Sequence, residues 1–200
     1  PARVLDNAPK DIRRVAAAID DTVAQGARVV NMSFGFGTAE QVAVMRQVLS
    51  RHPNVLFVVA AGNSSRSIDE VDPQLELFAN DLPNLAVVAS ASLTGGVAGN
   101  SNFGLRATHA AQGDAVTAAI PGAAYSGGLS GTSFAAPHVS NLAARSLLID
   151  PQLTPQQLKT ILSMTSRPHP EWSGKVQSGG TIDFDAAATV AALTGLLRRG

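Results

Sequence analysis

The stretch SGTSFAAPHV at residues 130–139 decides how the rest of this chain is interpreted. Ser133 follows a glycine turn at Gly131 and precedes apolar residues at three- and four-residue spacing, which predicts a buried helix. Pro137 is expected near the first turn of that helix, where a missing N–H group costs little. Ser133 would then lie at a helix N-terminus, where free N–H groups face whatever its hydroxyl attacks. On this local pattern alone, an ordinary serine helix cap is the simpler interpretation.

Composition and charge favour a single packed domain over a nucleic-acid-binding or membrane-spanning protein. The chain has 200 residues, of which 45% are hydrophobic and 15% charged, as expected of one packed domain with a sizeable core. Its formal net charge is zero and its basic residues are scattered, so we expect no nucleic-acid surface and no electrostatic membrane tether. No apolar run reaches the roughly 20 residues that span a bilayer. Cysteine is absent, which excludes disulfides and thiolate chemistry and leaves the redox compartment open.

Predicted strands and helices alternate along the chain. Short β-branched or apolar runs predict strands at residues 2–6, 28–33, 55–61 and 85–90. Caps and helical spacing predict helices that begin near Pro9, Thr38, Ser133, Thr154 and Asp185. Residues 64–84 are interpreted as a long surface excursion, and residues 93–128 as containing short antiparallel pieces. The alternation predicts a largely parallel sheet with helices on both faces.

Three polar or glycine-containing segments come where predicted strands end or helices begin. They are Ser33-Phe34-Gly35, Gly62-Asn63 and Thr132-Ser133. Binding residues of an open parallel sheet gather at such edges. A serine nucleophile needs a base, a partner that orients the base, and donors for the oxyanion. The Asn63 amide can join the Ser133 N–H as such a donor, although a Gly-Asn pair after a strand is also a common turn.

Three motifs in chain order carry a family resemblance. VVNMSFG at residues 29–35, VVAAGN at 58–63 and SGTSFAAPHV at 130–139 together resemble the subtilisin-like serine peptidase (subtilase) family. The resemblance covers essentially the whole chain, including GGTIDFDAA at residues 179–187, which is similar to the family's closing turn and helix. An α/β-hydrolase would instead carry G-x-S-x-G, and Ala135 stands where its second glycine belongs.

The resemblance implies a fold, a reaction and a set of site residues. The implied fold is a three-layer α/β structure, with a mostly parallel sheet between two layers of helices. Ser133 is implied as the nucleophile and Asn63 as the oxyanion donor. Ser33-Phe34-Gly35 and Ala60-Ala61-Gly62 are implied to flank an extended peptide substrate, the first segment by strand addition. Small residues in the second segment leave room for a side chain, which we expect to be neutral or apolar.

The family's D-[ST]-G and H-G-T motifs, which carry the aspartate and the histidine of its Asp-His-Ser triad, do not occur in this sequence. The aspartates near the start lack the following glycine, and the histidines have no family support as the base: Asp6, Asp11, Asp20, Asp21, His52, His109, His138 and His169. We therefore interpret residues 1–200 as a partial subtilisin-like peptidase domain, about its C-terminal two-thirds, in which the N-terminal strands with both motifs are absent. We expect it to lack full activity alone, because an unassisted serine hydroxyl is a weak nucleophile.

The expected partners are an extended peptide or protein substrate and the missing Asp- and His-bearing segment or chain. The Asp-bearing strand would lie between residues 2–6 and residues 29–33. The alternative function is a non-catalytic module that binds peptides or partners through the same edge. Retention of both Ser133 and Asn63 counts against that alternative, because a binding module needs neither.

No metal or other cofactor is expected. Many subtilases bind calcium, and Asn80, Leu82 and Leu85 match a loop whose carbonyls hold a cation in relatives, but no carboxylate cluster with the spacing of metal ligands accompanies them here. Ser140-Asn141 replaces a small Ala-Gly pair that is usual in the family. The family favours a secreted or cell-envelope location, which the sequence itself does not indicate.

Overall fold

The computed structural model describes residues 11–70, 76–79, 82–122 and 124–198. Its helices are α1 (Ile12–Ala24), α2 (Ala39–Arg51), α3 (Thr132–Ile149), α4 (Pro155–Met164) and α5 (Phe184–Leu197). Its strands are β1 (Val29–Met32), β2 (Leu56–Ala60), β3 (Leu85–Ala91), β4 (His109–Gln112), β5 (Val116–Ile120), β6 (Ala124–Leu129), β7 (Arg167–Pro168) and β8 (Gly180–Thr181). The predicted strand at residues 2–6 lies outside the described residues.

One sheet organises the fold, with strand order β1-β2-β3-β4-β8-β7 in the described residues. Neighbouring strands run parallel from β1 through β8, and the short β7 pairs antiparallel with β8. The register sets Val30 of β1 opposite Phe57 of β2, and Val58 of β2 opposite Ala86 of β3. β5 and β6 form a separate antiparallel hairpin, as predicted within residues 93–128. The prediction of a largely parallel sheet is therefore confirmed.

Helices cover both faces of this sheet. Every residue of β2 and β3 is buried, so the central strands have covered side chains on both sides. Phe57 and Val59 lie in a cluster with the apolar faces of α1 and α2, whereas Leu56 and Val58 lie in a cluster with α3, α4 and α5. Each such side chain contributes about 1.5–3 kcal/mol to folding by leaving water. The three-layer α/β architecture expected from the sequence is confirmed.

The start of each helix follows from its cap. The Thr38 hydroxyl accepts the Gln41 N–H at 3.2 Å and begins α2, while Thr154 and Gln157 form a complete capping box on α4. α3 differs, because its N-cap is Gly131, with φ of 151°, which has no side chain to accept an N–H group of the first turn. The first N–H groups of α3 are therefore left for other partners.

Pro137 lies deeper in α3 than the sequence analysis expects. The helix begins at Thr132, so Pro137 is its sixth residue rather than part of the first turn. At this position a proline removes the N–H group that the carbonyl of Ser133 would otherwise accept. The expectation that the missing N–H costs little is therefore wrong, because the Ser133 carbonyl needs another donor.

Residues 64–84 do not form a purely surface excursion, which corrects the sequence-based interpretation. Ile68 and Leu77 are fully buried, and both belong to the apolar cluster that also holds the inner faces of α1 and α2. Leu77 lies in a single 3-10 turn, Glu76–Phe78. These apolar residues are isolated within a polar stretch of sequence, and in the structure they belong to the apolar core on the α1 and α2 side of the sheet.

Candidate active site

Three segments that are far apart in the sequence meet at the carboxyl edge of the sheet. They are the residues that follow β1, the residues that follow β2 and the first turn of α3. Thr132 Oγ1 accepts the Gly62 N–H at 3.1 Å, and Ser133 Oγ donates to the Ser33 carbonyl at 3.2 Å. The segments singled out from the sequence thus share one edge, where parallel sheets place their binding residues.

Ser133 is the second residue of α3 and is half-buried. Its side chain and its backbone both contact Ser33, because the Ser33 hydroxyl donates to the Ser133 carbonyl at 2.9 Å. The Ser133 N–H finds no hydrogen-bond acceptor among the described residues. An N–H group at an uncapped helix start is available to an anionic group. Ser133 therefore combines a hydroxyl with an unused donor on its own backbone.

The side-chain amide of Asn63 has a fixed orientation. Its Oδ1 accepts two hydrogen bonds from Thr132, one from the N–H at 2.8 Å and one from Oγ1 at 2.9 Å. Nδ2 has no acceptor within the described part of the chain, and Asn63 is solvent-exposed. Thr132 is fully buried and so holds the amide firmly. No pattern in the sequence assigns this role to Thr132, which differs from its neighbours only in carrying a hydroxyl group directly before Ser133.

A buried asparagine shapes the loop that carries Asn63. Asn102 is 4% exposed; its Oδ1 accepts the N–H groups of Ser64 at 2.9 Å and Arg66 at 3.2 Å, and its Nδ2 donates to the Ala61 carbonyl at 2.9 Å. Gly62 has φ of 101°, and a Cβ there would come within 2.5 Å of Asn102 Nδ2, so glycine is required. Asn102 could not be identified from the sequence, because no spacing along the chain encodes a contact between two loops.

The two segments predicted to flank a peptide follow neighbouring strands. Residues 33–35 come directly after β1, and residues 60–62 end β2 and continue from it. Ala60 and Ala61 are buried, at 8% and 2% exposure, and each belongs to one of the two apolar clusters of the core. The Phe34 ring packs edge-on against Phe36 with ring centroids 5.5 Å apart. These two segments therefore carry small and aromatic side chains and no charged one.

An aspartate–histidine pair exists in the structure, but it lies away from Ser133. His52 Nε2 is 2.6 Å from Asp20 Oδ1, and Arg51 Nη2 is 3.0 Å from Asp20 Oδ2. The hydrogen bond from His52, supported by the charge of Arg51, holds the pKa of the Asp20 carboxyl below its usual value. His52 lies just after α2 and before β2, at the amino edge of the sheet. The five residues of β2, about 16 Å at 3.3 Å per residue, separate this pair from the loop of Asn63.

His109 is also a structural residue. It lies at the amino end of β4 and is fully buried, with Nδ1 2.7 Å from Thr108 Oγ1 and Nε2 3.2 Å from the Lys159 carbonyl. Burial lowers the pKa of His109 to about 4, so its ring is neutral at neutral pH. Its hydrogen bonds join β4 to α4 and do not reach Ser133.

The remaining histidines have packing or capping roles. His138 lies five residues after Ser133 on α3, and its ring packs edge-on against Phe184 with centroids 6.3 Å apart. Five residues along a helix correspond to about 500°, so the two side chains point in different directions. His169 accepts the Glu171 N–H at 3.3 Å and caps a 3-10 turn. The described structure therefore places none of the four histidines of the sequence in contact with Ser133.

No cluster of three His, Cys, Asp or Glu side chains that could hold a metal ion occurs in the described residues. Asn80, one of the positions that match a cation-binding loop of relatives, lies outside those residues. The Leu82 carbonyl accepts the Leu85 N–H at 3.2 Å within a turn. Calcium takes about six to eight oxygen ligands, and the expectation that no metal is bound stays a prediction.

The fold and the converging segments are those of a known family. The model of the Subtilase family (Peptidase S8) matches residues 1–193, so the chain belongs to the subtilase family. It is 30% identical to the Extracellular protease of Xanthomonas campestris pv. campestris over 211 residues, which cover 96% of this chain and 35% of that protein. It is 37% identical to Subtilisin-like protease 7 of Trichophyton equinum over 149 residues, 74% of this chain and 35% of that protein. The chain spans about a third of the length of these relatives.

Solved structures agree with this assignment. A cold adapted subtilisin-like serine proteinase matches with a TM-score of 0.70 at 28% identity, covering 88% of this chain and 64% of that chain. A chain from a structure of subtilase cytotoxin SubAB assembly matches with a TM-score of 0.76 at 21% identity, covering 98% of this chain and 69% of that chain. The second likeness supports the fold alone. The family resemblance stated from the sequence motifs is confirmed.

Proposed function

We propose that this chain carries the nucleophile and the oxyanion donors of a subtilisin-like serine endopeptidase, which cleaves peptide bonds through an acyl-enzyme on Ser133. One observation carries the proposal. The Ser133 hydroxyl lies at a helix start together with two oriented donors, Asn63 Nδ2 and the Ser133 N–H, that have no acceptor among the described residues. Donors that the fold orients but leaves open suit an oxyanion that forms only during the reaction.

In the proposed reaction, Ser133 Oγ attacks the carbonyl carbon of the scissile bond and gives its proton to a base. The carbonyl oxygen becomes an oxyanion, which accepts hydrogen bonds from Asn63 Nδ2 and the Ser133 N–H. When the C–N bond breaks, the base protonates the leaving amine, and the acyl group stays on Ser133 until water hydrolyses the ester. In subtilisin itself, loss of the oxyanion-hole asparagine costs about 10²–10³ in kcat.

The base and the carboxylate that orients it are proposed to come from a polypeptide segment outside this sequence. The Ser133 hydroxyl donates to a backbone carbonyl rather than to a histidine. In the described residues, β1 is the end strand of the sheet and pairs with β2 alone. A parallel strand added to the outer edge of β1 would end near Ser33, and a residue there would lie close to Ser133.

The substrate is proposed to be an extended peptide that runs between residues 33–35 and residues 60–62. Support comes from their position, because both segments continue neighbouring parallel strands and lie beside the first turn of α3. An extended peptide can pair its backbone with such a segment. Residues 33–35 and 60–62 carry no charged side chain, which favours a neutral or apolar side chain before the cleaved bond.

A non-catalytic peptide-binding module is the second candidate function. It is favoured by the absence of a histidine contact to Ser133 in the described structure. The oriented Asn63 amide counts against it, because peptide binding along a strand does not need an oxyanion donor.

As for location, one relative is named an extracellular protease, which supports a proposal that this protein also acts outside the cytoplasm. No helix in the described residues is both long and apolar enough to cross a membrane.

The test uses the protein made from its full-length reading frame and a library of unstructured peptides. Cleavage is expected, is lost in Ser133→Ala and is kept in Ser146→Ala, a matched control whose hydroxyl donates to the Leu142 carbonyl of the same helix. No cleavage by the full-length protein, or undiminished cleavage by Ser133→Ala, would refute the proposal.

D-[ST]-G and H-G-T motifs upstream of Pro1 are expected, and their absence would favour the binding module. Hydrolysis by residues 1–200 alone, abolished by Ser133→Ala, would contradict an external base.

A further inference from the structure

The carbonyl of Ser133 is in an unusual position for a helix. In an α-helix a carbonyl accepts the N–H of the residue four positions later, which here is Pro137. Proline has no N–H group, so the regular bond is missing in the first turn of α3. An unpaired backbone carbonyl in a half-buried position is costly. The residue that carries the proposed nucleophile therefore depends on a donor from elsewhere in the fold.

Ser33 supplies that donor through a chain of three side chains. The Ser33 hydroxyl donates to the Ser133 carbonyl at 2.9 Å. Asn31 Nδ2 donates to Ser33 Oγ at 2.8 Å, and Ser140 Oγ donates to Asn31 Oδ1 at 2.9 Å. These hydrogen bonds join the end of β1 to α3 across sequence separations of 100 and 109 residues.

The need of the Ser133 carbonyl for a donor sets the direction of the bonds at Ser33 and Asn31, while the Ser140 hydroxyl lies 2.9 Å from Asn31 Oδ1 and 3.2 Å from the Ala136 carbonyl. A serine hydroxyl has one proton, and that of Ser33 is committed to the Ser133 carbonyl. Asn31 must then present its NH2 group to Ser33, which leaves its oxygen facing Ser140. A carboxylate at position 31 would reverse this direction, because it can only accept and would take the Ser33 proton for itself.

The chain holds α3 at two points of one helix face. Ser133 and Ser140 are seven residues apart, close to two full turns, so both side chains face β1. The Ser133 hydroxyl also donates to the Ser33 carbonyl at 3.2 Å. The proposed nucleophile is therefore fixed against the proposed substrate segment through its carbonyl and its hydroxyl at once.

We propose that Asn31, Ser33 and Ser140 form a positioning relay, in which the Ser33 hydroxyl replaces the helical donor that Pro137 lacks and so sets the backbone of Ser133. This proposal rests on the proposed peptidase function for its catalytic consequence, but the hydrogen-bond relay itself does not. Pro137 is what makes the Ser33 hydroxyl necessary. Restoring the N–H at position 137 should make that hydroxyl dispensable.

The test is a double-mutant cycle between Ser33→Ala and Pro137→Ala in the full-length protein. The readout is the rate at which a fluorophosphonate probe labels Ser133. Ser33→Ala is expected to slow labelling about fivefold when residue 137 is proline, the size of one net hydrogen bond, and less than about twofold when it is alanine. Asn31→Asp should slow labelling about as much as Ser33→Ala, and Ser146→Ala should not change it.

A second readout separates this relay from the peptidase function. The same cycle is measured by urea unfolding in proteins that all carry Ser133→Ala, which keep the backbone carbonyl of residue 133 but cannot react. Ser33→Ala is expected to raise the unfolding equilibrium constant about fivefold with proline at 137 and less than about twofold with alanine. Equal effects of Ser33→Ala in both backgrounds would overturn the relay. A wild-type protein that does not label would refute the peptidase function, and the unfolding cycle would still decide the relay.

Discussion

Replacing Asn102 by alanine should loosen the loop that carries Asn63. The side chain of Asn102 makes three hydrogen bonds, to the Ser64 and Arg66 N–H groups and to the Ala61 carbonyl. At about 1 kcal/mol for each bond, the substitution should lower the free energy of unfolding by about 3 kcal/mol. For a domain of this size that corresponds to a fall in Tm of about 6–12 °C. Thermal and urea unfolding of the two proteins would measure it.

A matched control separates loss of stability from loss of the site. Asn84 is also a buried asparagine, 2% exposed, and its Nδ2 donates to the carbonyls of Leu49 and His52, both at 3.0 Å. It lies just before β3, at the amino edge of the sheet. Asn84→Ala should cost about 2 kcal/mol of stability without affecting the loop of Asn63.

The two variants should differ in the reactivity of Ser133. At a temperature where both are folded, Asn102→Ala is expected to slow fluorophosphonate labelling about tenfold, since a displaced oxyanion donor loses about 1.4 kcal/mol of transition-state stabilisation. Asn84→Ala should label at the wild-type rate. Equal slowing by both variants, or destabilisation by Asn102→Ala without any slowing, would refute the assignment of Asn102 to the loop that positions Asn63.

Three further predictions test the fold. Gly62→Ala should lower the free energy of unfolding by about 1–3 kcal/mol and slow labelling of Ser133, because the backbone at residue 62 is left-handed and the new Cβ would meet the Asn102 amide. Urea unfolding measures the first effect and the labelling rate measures the second. Burial lowers the pKa of His109 to about 4, so its contribution to stability is complete above the unfolded pKa near 6.5. The free energy of unfolding should fall by about 3 kcal/mol as the pH falls from 6.5 towards 4, because the unfolded chain takes up the proton first. Urea unfolding at pH 7 and 4.5 measures this loss, which should be smaller in His109→Gln. Thr154→Ala removes the capping box of α4 and should lower the free energy of unfolding by about 1 kcal/mol without changing the labelling rate of Ser133. A slower rate would show that α4 affects the site.

The architecture could be predicted because its signals are local. Runs in which odd- and even-numbered positions are both apolar, as in residues 55–61, indicate strands covered on both faces. The central strands are indeed buried throughout. Cap patterns such as Thr154 with Gln157 fix where a helix begins, and the structure has that capping box. The meeting of the segments at Ser33, Gly62 and Ser133 follows from the same alternation, since parallel strands end at one edge.

The parts that could not be predicted depend on contacts between distant segments. The place of Pro137 in α3 depends on where the helix begins, and Gly131 has no side-chain cap to mark that start. Thr132, Asn102 and Ser140 act through bonds to other loops or strands, which no periodicity encodes. Ser140 was visible in the sequence only as a departure from the family, and its hydrogen bond to Asn31 gives that departure a physical role.

Fluorophosphonate labelling of the full-length protein, followed by mass spectrometry of its peptides, tests directly whether Ser133 is the nucleophile. We expect a single adduct on Ser133, absent in Ser133→Ala. Asn63→Ala should slow its formation about 10²-fold or more, because one of the two proposed oxyanion donors is removed. No adduct in the full-length protein, an adduct on a different serine, or a rate unchanged by Asn63→Ala would contradict the assignment of Ser133 as nucleophile and Asn63 as oxyanion donor.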